Sequence, residues 1–220
     1  MSGDGGESGT TARWVEKHSP LYVQATRHPF ICRIKDGSVN ISAFRRWLAQ
    51  DYLFVREFIP FIASLLLKAS KESDVDVVLG GIAALNDEIS WFRKEASKWG
   101  ISLNVVPQMA NLEYCRFLQS LALPDVNYSV AMTALWAIET VYHESFSFCL
   151  ESGSKTPDEL MEACRRWGNT DFGQYCCTLR KIADRCLETS SGDVVTQSEE
   201  IFIRVLNFEN DFWNMSLSEL

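Results

Sequence analysis

FRRWLAQDYLFVREF, residues 44–58, is the stretch that sets the fold class. Counting from Asp51, the residues three, four and seven places before it are Leu48, Trp47 and Phe44. Those three, four and seven places after it are Phe54, Val55 and Phe58. That spacing is one face of an α-helix. The same three-and-four recurrence of apolar residues runs along nearly the whole chain, and long runs of strict alternation are missing, so the reading is all-α. Helices are predicted at about 10–18, 20–35, 40–69, 73–99, 108–122, 127–150, 157–167, 169–188 and 195–214. Ser19-Pro20 reads as a cap followed by a first-turn proline, and Thr156-Pro157-Asp158-Glu159 as a capping box. Asp36-Gly37, Gly100, Pro107, Pro124, Gly153 and Gly192 punctuate the helices. The connectors are short, which predicts antiparallel packing in one bundle over residues 10–220, preceded by a loose tail over residues 1–9.

Composition removes several classes of function. The chain has 220 residues, 46% hydrophobic and 12% aromatic, enough for a sizeable core. With a net charge of -8 it lacks the clustered bases that phosphate backbones require, and no nucleic acid is expected as a partner. Arg45-Arg46 and Arg165-Arg166 read as solvated helix faces. The seven cysteines, at positions 32, 115, 149, 164, 176, 177 and 186, contain no CxxC and no paired ligand spacing. They read as reduced thiols, mostly in the core, rather than as a disulfide framework or a zinc site. The opening MSGDGGESGTT has neither the apolar run of a secretory signal nor the arginines of a transit peptide, and no segment is apolar for long enough to span a bilayer. The expectation is a cytosolic protein with no membrane partner.

Chemistry enters where acids occupy positions that belong to apolar side chains. Asp51 sits at the centre of its stripe. Glu209 repeats the pattern, with Phe202, Val205 and Leu206 before it and Phe212 and Trp213 after it. Glu139 does so again, between Met132, Leu135 and Trp136 on one side and Tyr142, His143 and Phe146 on the other. Glu88 is a weaker case, among Ala84, Leu85, Trp91 and Phe92 but with Glu95 one heptad on. A buried ionised carboxylate costs several kcal/mol unless it is paired. Either arginines or lysines from other helices meet these acids, or the acids line a polar pocket inside the bundle. In such a pocket carboxyls push one another's pKa values apart and so provide both an acid and a base.

Other constellations are weaker. A di-iron bundle draws on Glu-x-x-His pairs, and none of His18, His28 or His143 has a glutamate three residues before it. An N-terminal histidine, His18 or His28, is a conceivable haem ligand but reads more simply as a capping or partly buried side chain. His143 lies four residues after Glu139, the spacing of a helix-face pair. No cysteine has a histidine neighbour, and there is no phosphate-binding glycine loop or serine elbow. No metal and no cofactor are implied.

Three stretches together resemble the TenA family, from about residue 10 to the C-terminus. FICRIKDGSVNISAFRRWLAQDYLFVREF, residues 30–58, is similar to its N-terminal motif and places the pyrimidine-binding acid at Asp51. PQMANLEYCRFL, residues 107–118, resembles the segment that supplies a pocket tyrosine, here Tyr114. LNFENDFWNMSL, residues 206–217, resembles the C-terminal signature and makes Glu209 the match for the family's catalytic glutamate. In the better-known branch a cysteine nucleophile lies on the middle helix, whereas ALWAIETVYHESF, residues 134–146, has none and offers Glu139. A family tyrosine ahead of GNTDFG, residues 168–173, is replaced by Trp167. The resemblance is therefore to the glutamate-type, plant-type branch. It implies the haem-oxygenase-like helical fold and a hydrolase of thiamin-pyrimidine salvage, one that removes a formyl group and then the amino group from aminomethylpyrimidines to leave hydroxymethylpyrimidine.

On that reading Asp51 binds the ring's amino edge, and Phe54, Tyr114, Trp136, Tyr142 and His143 form the remaining substrate contacts. Glu209 protonates the leaving amine, and Glu139 orients or deprotonates the attacking water. A non-catalytic pyrimidine-binding protein of the same fold is the alternative, and a plain structural bundle with arginine-paired acids is the third reading. A homo-oligomer is expected, with a dimer favoured.

Overall fold

The computed structural model describes residues 9–218, so most of the tail predicted for residues 1–9 lies outside the described residues. Ten helices follow one another: α1 (Thr10–Lys17), α2 (Ser19–Thr26), α3 (Pro29–Asp36), α4 (Ile41–Lys68), α5 (Glu72–Trp99), α6 (Met109–Leu121), α7 (Tyr128–Phe148), α8 (Asp158–Gly168), α9 (Thr170–Glu188) and α10 (Gly192–Leu217). No strand occurs among the described residues, and the chain is all-α as the periodicity required. None of these helices is long and apolar enough to cross a membrane.

The helix placed at about 20–35 is two helices. His28 precedes Pro29, and the proline ring forces its predecessor out of the helical region, to ψ 150. The break is capped locally, for His28 Nδ1 accepts a hydrogen bond from the Phe30 backbone N–H at 3.2 Å. Asparagines cap three other starts: Asn40 for α4, Asn127 for α7 and Asn169 for α9, each accepting a backbone N–H at 2.8–2.9 Å. The capping box at Thr156 does not form, because its hydroxyl donates to the Cys149 carbonyl and Pro157 takes the N-cap position of α8 without a side-chain cap. The last helix is longer at both ends than predicted. Gly192 is its first residue rather than a break, and the C-terminal extension keeps Met215 buried.

Helix α7 is the axis of the bundle. Every residue from Ser129 to Ile138 is buried, as are Val141, Tyr142, Ser145 and Phe146, so the helix is covered on all sides. It packs against α10, α9, α8, α2 and α4. Around it lies one continuous apolar cluster that draws on all ten helices. Aromatic rings dominate: Trp47 packs on Phe44, Phe146 and Trp167 at 5.2–5.7 Å, and Tyr114 stacks on Phe208 at 4.9 Å. Gly168 sets the distance between α7 and α8. A Cβ there would stand 2.7 Å from the Phe146 carbonyl and the Ser147 nitrogen, so only glycine lets the end of α8 press on the α7 backbone and hold Trp167 inward.

Candidate active site

Four helices bring carboxyl groups to one side of α7. Asp51 on α4 is 1% exposed; its Oδ1 accepts a hydrogen bond from the Tyr142 hydroxyl of α7 at 2.7 Å, and its Oδ2 has no partner among the described residues. Glu209 on α10 repeats the arrangement. It is wholly buried, Oε1 accepts from the Tyr114 hydroxyl of α6 at 2.7 Å, and Oε2 is unpartnered among the described residues. Each acid thus has one oxygen held by a phenol and one left for something else. Six other buried side-chain atoms are unpartnered among the described residues, but only these two belong to carboxyls, the groups most costly to leave unsatisfied, which makes this the candidate ligand site.

Those acids adjoin a hollow of about 20 Å³, room for about one water molecule, lined by Asp51, Phe54, Tyr142, Glu88, Glu139 and Trp167 among others. Leu85, Glu88, Glu139 and Trp167 line it together with an outer recess of about 490 Å³, bounded further by Gly81, Arg166 and Tyr175. The recess is of the size that holds small organic ligands. Those four shared side chains form the neck between the two spaces, and Glu88 and Glu139 are its two acids.

Burial pushes every one of these carboxyls upward, each by a different balance. Asp51 is raised well above the usual range by desolvation, opposed by the Tyr142 hydrogen bond and reinforced by Glu88 and Glu209. Glu139 is raised well above it by desolvation and then by Glu88 and Glu209. Glu209 is pushed up to about 8 by burial, against the hydrogen bond from Tyr114. Glu88 rises only to about 7, because the Arg166 charge and the Trp167 indole favour its ionised form against desolvation. Tyr114 and Tyr142 are raised well above 10 by burial and by the neighbouring acids, so both remain neutral donors.

The cations of the protein go elsewhere. Asp74, 2% exposed, is gripped by Arg185, and buried Glu95 receives Lys98 and the Trp99 indole, the latter at 3.1 Å. Among the described residues no salt bridge reaches Asp51, Glu139 or Glu209, which disposes of the arginine-paired bundle for these three acids. Arg166, read from sequence as part of a solvated face, pairs with Asp87 at 3.0 Å and also borders the recess. Among the described residues no three His, Cys, Asp or Glu side chains are grouped to hold a metal ion. His18 meets Glu199 at 2.7 Å, and His28 meets Asn214 at 3.1 Å.

Of the side chains singled out in the sequence, Asp51, Phe54, Glu139 and Tyr142 line the hollow, while Tyr114 and Glu209 form the adjoining hydrogen-bonded pair. Trp136 and His143 are not brought there. They project from α7 on the face of positions 136, 140, 143 and 147, which lines a separate groove of about 680 Å³ facing α1, α2 and α9. Trp136 stacks on Phe202 at 5.4 Å, and His143 Nδ1 lies 2.9 Å from the Trp167 carbonyl. That groove is the larger space, but its carboxyl, Glu144, is half exposed and lies 3.6 Å from Arg27. The unsatisfied acids, not the volume, locate the chemistry. Glu88 and Trp167 are the residues the sequence reading left out of the site. For Glu88 the signal was present in its apolar neighbours at helical spacing; for Trp167 it lay in its place ahead of Gly168.

The comparisons with known proteins agree with this geometry. Residues 15–219 match the model of the TENA/THI-4/PQQC family. The chain is 58% identical over 213 residues to a probable bifunctional TENA-E protein of Glycine max, covering 94% of this chain and 93% of that one. It is 24% identical to an aminopyrimidine aminohydrolase of Halalkalibacterium halodurans, covering 94% and 95% of the two chains. A solved TenA homologue from Pyrococcus furiosus superposes with a TM-score of 0.87 at 24% identity, over 94% of this chain and 99% of that one, which speaks to the fold. With a family match over nearly its whole length and 58% identity to a TENA-E relative, this helical bundle belongs to the TENA/THI-4/PQQC family, on the side of its TENA-E members.

Proposed function

We propose that the protein is a hydrolase of thiamin salvage that acts on C–N bonds of aminomethylpyrimidines, removing a formyl group and then the amino group to leave hydroxymethylpyrimidine. The observation that carries this reading is the pair of buried acids, Asp51 and Glu209, each with one oxygen fixed by a tyrosine and the other unclaimed. The names of the relatives in Glycine max and Halalkalibacterium halodurans point the same way.

Asp51 takes the amino edge of the ring on its free Oδ2, and burial, which raises its pKa, favours its sharing a hydrogen with the ring nitrogen. Phe54, Tyr142 and Trp167 wall the hollow, which at about 20 Å³ holds a water and not a ring, so the ring reaches Asp51 from the recess only as these side chains move apart. Glu209, protonated up to about pH 8, is suited to donate a proton to the departing nitrogen. Glu139, its pKa raised by desolvation and by Glu88 and Glu209, is better suited to orient the water than to deprotonate it. In the first reaction water adds to the formyl carbon, the C–N bond breaks and formate leaves. In the second, water replaces ammonia at the methylene carbon.

Incubation with the formylaminomethyl- and aminomethyl-pyrimidines, with products followed by mass spectrometry, tests the proposal. Formate release and hydroxymethylpyrimidine are the expected products. Tight binding of hydroxymethylpyrimidine with neither substrate consumed would transfer the site to a sequestering protein.

A further inference from the structure

Glu88 is the one acid of the cluster that has both an opening to the recess and groups favouring its charge. It lines the neck on both sides, opposite Glu139. From α8, Arg166 and the Trp167 indole favour its carboxylate; on its own helix Asp87 opposes it but is itself engaged by Arg166. Across the neck the other titratable groups are Glu139 and Tyr142 on α7, Asp51 on α4, Glu209 on α10 behind them, and Asp171 and the Tyr175 phenol of α9 in the recess. Nothing comparable stabilises a charge on Glu139, where desolvation, Glu88 and Glu209 all act against ionisation. The cluster also has an independent sign of an occupant in the unpartnered Oδ2 of Asp51 and Oε2 of Glu209.

We propose that Glu88 is a catalytic residue of this site, the base that takes a proton from the attacking water at the neck, with Glu139 opposite orienting that water. The proposal rests on the hydrolase reading above. Water loses a proton to the Glu88 carboxylate as its oxygen bonds to the formyl carbon. The carbonyl oxygen takes up the displaced electron pair, and on collapse the C–N bond breaks while Glu209 gives its proton to the nitrogen. The cycle closes when Glu88 releases its proton to water in the recess and Glu209 regains one. Titration of Glu88 at about 7, with a cation beside it, is what a base working at neutrality needs.

The test is the pH dependence of kcat on the formylated pyrimidine for the wild-type chain, Glu88→Gln, Glu88→Asp and Arg166→Ala, with hydroxymethylpyrimidine affinity measured by calorimetry in parallel. The wild type should lose activity below about pH 7. Glu88→Gln should lose about a hundredfold or more in kcat while its affinity stays within about threefold. Glu88→Asp should recover part of that rate and keep an acid limb. Arg166→Ala, which leaves the carboxylate in place but removes its cation, should retain turnover with the limb displaced upward. Glu88→Gln turning over within about threefold of wild type with the same acid limb would overturn the role and leave the hydrolase reading standing. A parallel loss of ligand affinity with turnover would also overturn it, in favour of a structural role. A wild-type chain inert toward both pyrimidines would overturn both readings together.

Discussion

Glu209→Gln keeps the size and shape of the side chain and removes its titration, so it separates the chemistry of this carboxyl from the effect of its burial on folding. In the unfolded chain the group has a pKa of 4.5; in the fold it holds its proton up to about 8. The folded state therefore binds more protons, and the stability tied to this group is fully present below pH 4.5 and is lost as the pH rises through 8. Each pH unit in that window counts about 1.4 kcal/mol. A glutamine has no proton to take up. The variant should accordingly exceed the wild type in stability by about 1 kcal/mol at pH 5, about 3 kcal/mol at pH 7 and about 4 kcal/mol at pH 8. For a chain of this size 3 kcal/mol corresponds to a rise of about 6 to 12 °C in Tm. Tyr114 can donate to the amide oxygen as it does to the carboxyl, so no new unsatisfied group offsets the gain. Urea unfolding at pH 5 and pH 8 measures the difference, and turnover of the formylated pyrimidine by the same preparations should fall about a hundredfold or more. A stability difference equal at the two pH values would refute the assignment of a neutral, buried acid at Glu209, and near-normal turnover would refute its role as proton donor.

Three further perturbations probe other parts of the argument. Asp51→Asn should weaken hydroxymethylpyrimidine binding by about tenfold to a hundredfold, the worth of one hydrogen bond to a charged partner, and an unchanged calorimetric affinity would remove Asp51 from the binding edge. Arg185→Ala leaves the buried carboxylate of Asp74 with only the Tyr128 and Ser73 hydroxyls and should cost about 2 to 4 kcal/mol in urea unfolding while leaving the kinetics of the folded protein alone; a loss below about 1 kcal/mol would mean that the cation adds little to those two hydrogen bonds. Gly168→Ala puts a methyl into the α7 backbone and should lower stability by about 1 to 3 kcal/mol together with ligand affinity, because Trp167 moves with it. Full affinity in a destabilised Gly168→Ala protein would detach Trp167 from the pocket.

The elements most legible in the sequence were those whose burial is one-sided. Helix α4 shows a single apolar stripe, so Asp51 within it had to point inward, and it does. The same holds for Glu209 on α10. Helix α7 is buried all round, and a uniformly apolar helix does not declare which face meets which neighbour. That is why four residues of α7 read together as one site, Glu139, Tyr142, Trp136 and His143, divide in the structure between the hollow, which takes the first two, and another groove, which takes the last two. Helix α5 shows the reverse difficulty. It is polar over much of its length, which weakened the case for Glu88, although the side chain reaches the neck of the site. The break at Pro29 was readable from the proline itself, but the apolar spacing on both sides of it ran on unbroken and outweighed it. Which buried acid meets a cation could not be read at all, since Arg185 lies 111 residues from Asp74.

The protein buries acids in two ways, and the contrast bears on function. Asp74 is held by a guanidinium, which makes it a fixed strut between α5 and α9. Asp51 and Glu209 are held by phenols whose own ionisation is suppressed by the same burial. A phenol steadies one oxygen without cancelling the charge that would form on the carboxyl, so Glu209 keeps its proton in the resting state and can still give it up when a substrate nitrogen offers a better place for it. An arginine in the position of Tyr114 would stabilise the fold and leave no proton to donate. Burying Glu209 costs stability at neutral pH, in proportion to how far its pKa is raised; the Tyr114 hydrogen bond offsets only part of that, and the remaining displacement is what keeps an acid available near neutrality. The expense of folding around Glu209 and its fitness as a proton donor are therefore one physical quantity measured in two assays.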